Sequence, residues 1–311
     1  MQVPGNIPQS IKAKAKELGF LECAILPVSE LSEEKEYFQS WLQAEMHGEM
    51  EYMARNVEKR LNPQLLVDNA KSIIIVLLNY FPEKIQTDPE APVISKYAYG
   101  TDYHFVLKDK LKMLLTFIQN EIKTCNGRTF TDSAPVLERA WARRAGLGWV
   151  GKNSNLISVT HGSFFFIGEL FLDIELPYEN PKPVHDHCGT CTRCIDACPT
   201  KAIAANRVVD ARKCISYQTI EVKGSLDENL IGQFENRVFG CDICQDVCPW
   251  NLKSKPHNEP EFEPNPQLLE LTKNDWHQME QPLFNTLFKN SAVKRTGFSG
   301  LKRNLQFIQP E

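Results

Sequence analysis

A mixed α/β (α+β) domain carrying a small cysteine-rich module is the fold class that the 311-residue sequence predicts. Three observations predict it. Helix-like and strand-like segments alternate through the first half, eight of the ten cysteines fall between Cys188 and Cys248, and proline-rich stretches at 177–183 and 256–266 bracket those cysteines. The expected division is 1–176 for the α/β domain, 177–255 for the cysteine module and 256–311 for a C-terminal extension.

Residues 8–18 place Ile11, Ala15 and Leu18 at helical spacing, and Gly19 follows as a C-terminal cap. Residues 21–28 read as a buried strand. Glu33 and Glu34, after Ser32, suit the first turn of a second helix running toward Trp41, because carboxylates there complement the helix dipole. Residues 72–78, SIIIVLL, are β-branched without polar alternation and predict a central strand. Another strand is expected over 93–97. Residues 106–122 put Leu107, Leu111, Leu114, Leu115 and Ile118 on one stripe, the pattern of a long amphipathic helix. Residues 127–131 read as a strand, and 155–160 with 163–172 as a hairpin turning at His161-Gly162.

Charged residues make up 24% of the chain and the formal net charge is -4, which excludes a globally basic surface for nucleic acid or an anionic membrane. Charge is nevertheless uneven. Residues 281–310 contain no acid but do contain Lys289, Lys294, Arg295, Lys302 and Arg303. A solvated face accounts for such a run unless an anionic partner exists. The apolar run 73–78 is far too short to span a bilayer, and residues 1–10 have neither a basic n-region nor an apolar h-region. A cytoplasmic protein without membrane contact is expected.

The cysteines run Cys188, Cys191, Cys194, Cys198-Pro199, then Cys214, then Cys241, Cys244, Cys248-Pro249. CGTCTRCIDACP has the bacterial ferredoxin spacing, in which three close thiolates hold one [4Fe-4S] cubane and the fourth, before proline, reaches across to another. CDICQDVCP repeats the run, except that Val238 stands where its first cysteine would be. Valine cannot ligate iron, so Cys214 is the natural substitute. The crossover then assigns Cys188, Cys191, Cys194 and Cys248 to one cluster, and Cys198, Cys214, Cys241 and Cys244 to the other. Structural zinc fits this uninterrupted spacing poorly, and disulfides need an oxidising compartment. Of the two isolated cysteines, Cys125 has no assigned role and Cys23 reads as a small core residue. A ferredoxin is complete in far fewer residues, so the rest of the chain receives the electrons.

Outside the clusters the densest chemistry lies in 130–158, FTDSAPVLERAWARRAGLGWVGKNSNLIS. Asp132 or Ser133 stands where a helix N-cap belongs, Pro135 falls in the first turn, and Gly146 ends the helix. Gly146-Leu-Gly148-Trp-Val-Gly151 matches GxGxxG but follows a helix and precedes a strand, the reverse of the dinucleotide-binding order. A loop that approaches a large ligand closely is the other reading, with Lys152, Asn153 and Ser154 on its polar edge. Asp102-Tyr103-His104 begins like the DxHxxG element of one class of cobalamin proteins, yet Leu107 occupies the glycine position. His104 therefore reads as a capping histidine near a helix start. The CxxxCxxC triplet of radical S-adenosylmethionine enzymes does not occur.

Five blocks in one order, SKYAYGTDYH (95–104), DSAPVLERAWARRAGLGWVGKNSNLI (132–157), CGTCTRCIDACPTKAI (188–203), CISYQTIE (214–221) and FGCDICQDVCPWN (239–251), resemble the epoxyqueuosine reductase family. The resemblance spans nearly the whole chain, including SAVKRTGFSGLKRN (291–304). It implies a nitroreductase-like cobalamin-binding domain joined to a ferredoxin-like double [4Fe-4S] module. The implied reaction removes the epoxide oxygen of epoxyqueuosine in the anticodon loop of tRNA, giving queuosine and water, with electrons from an external donor. Asp132 matches the family's proton donor. A helix N-terminus would favour its charged form, so burial beside the corrin has to offset that if Asp132 is to act as an acid. The resemblance also points to Tyr97, Asp132, Lys152, Asn153, Ser154, Ser158, Gln245 and Asp246 as cobalamin contacts. Lys223, Lys294, Arg295, Lys302 and Arg303 are the expected tRNA phosphate contacts. The competing readings are a cobalamin-dependent reductive dehalogenase and a ferredoxin-type electron carrier.

Overall fold

The computed structural model of the chain describes residues 6–205 and 207–309. Its strands are β1 (Glu22–Pro27), β2 (Ser72–Asn79), β3 (Val93–Ile94), β4 (Gly127–Phe130), β5 (Trp149–Val150), β6 (Leu156–Ile157), β7 (Phe165–Leu172), β8 (Ile203–Ala205), β9 (Val208–Val209) and β10 (Arg237–Phe239). The main sheet has the order β1-β2-β7-β4, and each neighbouring pair is antiparallel. An unbroken apolar run such as β2 is usual in parallel sheets; here it arises because both faces of an antiparallel sheet are covered. Ile74, Val76 and Leu78 share a core with residues of the helices Ile7–Glu17 and Tyr103–Phe117. Ile73, Ile75 and Leu77 share another with the helix Glu138–Arg144. Each such side chain, fully buried, contributes on the order of 1.5–3 kcal/mol.

Several expectations from the sequence are corrected. The second helix starts at Lys35, after a 3-10 turn over Ser32–Glu34. The strand expected over 93–97 shrinks to β3, which pairs in parallel with β10 of the cysteine module. The hairpin at His161-Gly162 reduces to one bridge, Ser158–Gly162, because β7 is taken up by β2 and β4 while β6 pairs with β5. The GxGxxG loop explains that pairing. A Cβ on Gly148 would collide with the Ile157 carbonyl, and one on Gly151 with the Ile157 side chain. The close backbone approach implied by those glycines is thus made to the chain's own strand.

The helix expected from Asp132 or Ser133 begins only at Glu138. Pro135 disfavours helical backbone at Ala134, and residues 131–135 bend instead, with Asp132 in the left-handed region at φ 47°. Asp132 is therefore not an N-cap. The C-terminal extension is not peripheral either. Trp276, Phe288, Val293 and Leu301 share one core with Ile94 and Tyr99 of the first domain and with Val238 and Phe239 of the cysteine module. No helix among the described residues is long and apolar enough to cross a membrane.

Candidate active site and metal centres

The four-residue helices Arg193–Asp196 and Ile243–Asp246 carry the central cysteines, Cys194 and Cys244, of the two runs. Cys188, Cys191, Cys194 and Cys248 line one small cavity of about 40 Å³, walled also by His187, Arg193 and Trp250. The Trp149 indole N–H points at the Cys188 sulfur, 3.4 Å away. Burial pushes the Cys194 thiol up, and Cys188, Cys248 and Cys191 push it further. The other four cysteines answer to one another. Burial raises Cys214 and its neighbour Cys198 adds to the shift; burial raises Cys244, with Cys214 and Cys241 next in effect. Among the described residues no three His, Cys, Asp or Glu side chains converge on a single ion, as structural zinc would require.

The loop after the helix Glu138–Arg144 braces this module. The Lys152 ammonium donates to the carbonyls of Gly189 (2.7 Å) and Cys191 (2.9 Å), and the Asn153 amide donates to the Cys244 carbonyl. Ser154 Oγ donates to the Arg207 carbonyl at 2.6 Å, while Ser158 Oγ accepts from the N–H groups of Thr160 and His161. The polar atoms expected to face a ligand at Lys152, Asn153, Ser154 and Ser158 thus meet protein partners.

A run of aromatic side chains connects the module to Asp132. Beside Cys244, the buried Gln245 amide donates to the Tyr80 hydroxyl and to Ser163. The Tyr80 ring lies 6.5 Å from Tyr97, and Tyr97 lies 6.0 Å from Tyr103, both edge-on. Tyr103 is held flat between His104 (4.1 Å) and Phe166 (4.2 Å) and donates its hydroxyl to Asp132 Oδ2 at 2.5 Å. Burial pushes both Tyr97 and Tyr103 up, with Asp132 the next cause, so each stays a neutral phenol. The Tyr97 hydroxyl makes no hydrogen bond among the described residues. Asp246 pairs with Lys96 at 2.6 Å. His104, as its position suggested, sits at a helix start, its ring 2.7 Å from the N-cap Asp102.

Asp132 itself is exposed, and its neighbours were not foreseen. The Asp132 N–H donates to the Glu138 carboxylate. Arg60, buried, donates to the Tyr52 carbonyl, while its Nε has no partner. Glu169 of β7 is fully buried with both oxygens unpartnered. A lone acid in the otherwise apolar strand FFIGELFL was the available signal.

Of the expected phosphate contacts, Arg295 lies near Asp132 and meets Lys223. Arg295 pairs with Glu221 at 2.7 Å, and its carbonyl accepts from Lys223 at 3.3 Å. Asp132 acts on the Arg295 guanidinium, after burial, Glu221 and Tyr52. Lys294 is exposed. Lys302 and Arg303 are engaged elsewhere, donating to the carbonyls of His277 and of Val222 and Gly224.

Two groups of four cysteines, with tyrosines running from beside Cys244 to an exposed carboxylate, suit an iron–sulfur oxidoreductase. A family model for a 4Fe-4S double cluster binding domain matches residues 187–251, and one described as "Epoxyqueuosine reductase QueG, DUF1730" matches residues 60–133. The chain belongs to the epoxyqueuosine reductase family. It is 55% identical to the epoxyqueuosine reductase of Cellulophaga algicola, over 96% of this chain and 97% of that protein. A crystal structure of epoxyqueuosine reductase with an epoxyqueuosine-modified tRNA stem loop aligns with a TM-score of 0.88 at 29% identity, covering 97% of this chain and 80% of that one. The Bacillus subtilis enzyme, in a structure whose catalytic aspartate loop is swung out of the active site, aligns with a TM-score of 0.87 at 28% identity and the same coverage. Catabolic reductive dehalogenase NpRdhA shares the fold alone, at 16% identity and a TM-score of 0.51, over 96% of this chain and 37% of that one.

Proposed function

We propose that this chain reduces epoxyqueuosine to queuosine in the anticodon loop of tRNA, in the cytoplasm, using cobalamin, two [4Fe-4S] clusters and an external electron donor. The observation that carries the reading is the line of contacts from the module through Gln245, Tyr80, Tyr97 and Tyr103 to Asp132, with Arg295 at the same cleft.

One cluster is held by Cys188, Cys191, Cys194 and Cys248, and the other by Cys198, Cys214, Cys241 and Cys244. Their shared cavity supports the first set and their mutual effect on ionisation the second. The first cavity, whose cysteines are partly exposed, is where an external donor would deliver electrons.

The residues around Asp132 fit a cofactor: Asp132 is exposed, Tyr97 beside it is only partly buried and has an unbonded hydroxyl, and Tyr103 backs them from the core. Tyr97, Asp132, Gln245 and Asp246 would hold cobalamin, whereas Lys152, Asn153, Ser154 and Ser158 act through the loop they brace. When bound, cobalamin supplies a reducible cobalt nucleophilic enough to open a strained epoxide.

Overall the reaction consumes two electrons and two protons, and the epoxide oxygen leaves as water. The chain's own residues orient the nucleoside and supply protons. Asp132 is the acid, placed by Tyr103 at the cleft surface. Arg295 and Lys294, with Lys223 behind them, attract the tRNA phosphates, while Lys302 and Arg303 shape that surface.

Asp132→Asn tests the reading. The amide preserves size and still accepts from Tyr103 but has no carboxylic proton. A loaded variant should lose on the order of a hundredfold or more in conversion, the scale of a positioned general acid. Conversion at the wild-type rate with full iron and cobalt would refute it.

A further inference from the structure

The Asp132 loop poses a problem that the proposed chemistry does not solve. An exposed aspartate at neutral pH is ordinarily ionised, and an acid catalyst needs a proton. A helix N-terminus would have made matters worse, but Asp132 does not cap the helix. Its backbone instead rests on a second carboxyl group.

Glu138 accepts from the main-chain N–H of Asp132 on this bend, close enough for its carboxyl group to feel the Asp132 charge. Behind them Glu169 is fully buried, and neither of its oxygens has a partner. A carboxylate buried in this way would be costly, so Glu169 stays neutral and offers no compensating charge. On the opposite side Tyr103 donates to Asp132.

We propose that Glu138 is a positioning and proton-holding residue for Asp132: it fixes the left-handed backbone of Asp132 and keeps a carboxylic proton within reach of it. This inference rests on Asp132 being the acid. In the transfer, the O–H bond of Glu138 breaks as one forms on Asp132, Asp132 passes a proton to the oxygen leaving the substrate, and solvent reprotonates Glu138. No electron moves in these steps.

The electrostatics agree with the geometry. Burial first, and the neighbouring Asp132 charge next, outweigh the lowering effect of the hydrogen bond to Asp132 and of Arg139 and Arg60 and leave Glu138 pushed up to about 8. Burial and then Glu138 and Asp132 push Glu169 up as well. Tyr103, Tyr97 and Tyr52, which also feel the Asp132 charge, are pushed up by burial and stay protonated, and Arg295 stays charged. Two carboxyl groups that feel each other's charge can retain one proton between them.

The test is Glu138→Gln, whose amide oxygen still accepts from the Asp132 N–H but which has no acid proton. Two readouts apply: the pH profile of epoxyqueuosine conversion by the loaded enzyme, and infrared titration of protonated carboxyl groups in cofactor-free protein. Wild-type conversion should decline as pH rises through about 8, with a carboxyl signal titrating alongside it. In Glu138→Gln that signal should disappear, and conversion at pH 7 should fall by about tenfold to a hundredfold. Glu138→Asp should restore part of both.

An unchanged pH profile, or an unchanged carboxyl titration, in Glu138→Gln overturns the inference. If that variant fails to fold, the wild-type infrared titration still decides, since no carboxyl group titrating between about pH 7 and 9 contradicts it. Asp132→Asn run in parallel separates the two readings. An inactive Asp132→Asn beside a Glu138→Gln indistinguishable from wild type removes only the role of Glu138; an active Asp132→Asn removes the role of Asp132.

Discussion

The cysteine module and the Asp132 cleft are built by opposite strategies. The module draws seven of its eight thiols from two local runs, 188–198 and 241–248, each turning around a four-residue helix. The cleft collects Tyr52, Arg60, Tyr97, Tyr103, Asp132, Glu138, Glu169 and Arg295 from segments spread over more than two hundred residues. Metal ligation fixes spacing along the chain, whereas an acid site needs only convergence in space. One region is therefore written in its local sequence, and the other exists only once the sheet and the C-terminal core have formed.

The sharpest way to break this comparison is at Cys214, the one thiol outside both runs. Cys214→Ala should remove or degrade one cluster and leave the other, lowering iron content from about eight toward four per chain. Iron analysis and low-temperature electron paramagnetic resonance read the result. Retention of full iron and both reduction signals would mean that Cys214 is no ligand. Cys125→Ala, a buried thiol away from the module, should change neither.

A smaller effect sharpens the cleft side. Lys294 and Arg295 are exposed, while Lys302 and Arg303 spend their donors on backbone carbonyls. Replacing Lys294 and Arg295 by alanine should weaken tRNA binding and flatten its log–log salt dependence by roughly 0.7–0.9 per lost phosphate contact. Lys302→Ala should leave that slope in place. Filter binding across a salt series measures both, and an equal slope change in Lys302→Ala would return it to the phosphate-contacting set. The comparison predicts unequal contributions from a basic run that looked uniform in sequence.

The middle of the chain shows why legibility differs. β2 was readable because a β-branched run has few alternatives, and the long helix after Asp102 because its stripe is strongly periodic. The hairpin at His161-Gly162 was misread because strand-like segments on either side of a turn signal pair locally only if no better partner exists, and β2 offers β7 an eight-residue register. Asp132 was misread because its residue type and the following Pro135 both suit a helix start, while the same proline holds Ala134 out of the helix. Glu138 was invisible as a functional residue: on a helix stripe it looks like any solvent-facing acid. Its role depends on the bend at 131–135, which a continuous helix from Asp132 would not contain.

The central claim is that electrons entering at the cysteine module deoxygenate a tRNA nucleoside bound beside Asp132, which supplies a proton. Its most direct test is to incubate anaerobically reconstituted protein, loaded with iron, sulfide and cobalamin, with tRNA bearing epoxyqueuosine and a one-electron reductant, then digest the tRNA and quantify nucleosides by mass spectrometry. Conversion of epoxyqueuosine to queuosine, dependent on both cobalamin and reductant, is the predicted result. Fully loaded and reducible protein that binds the tRNA yet leaves epoxyqueuosine intact would contradict the account.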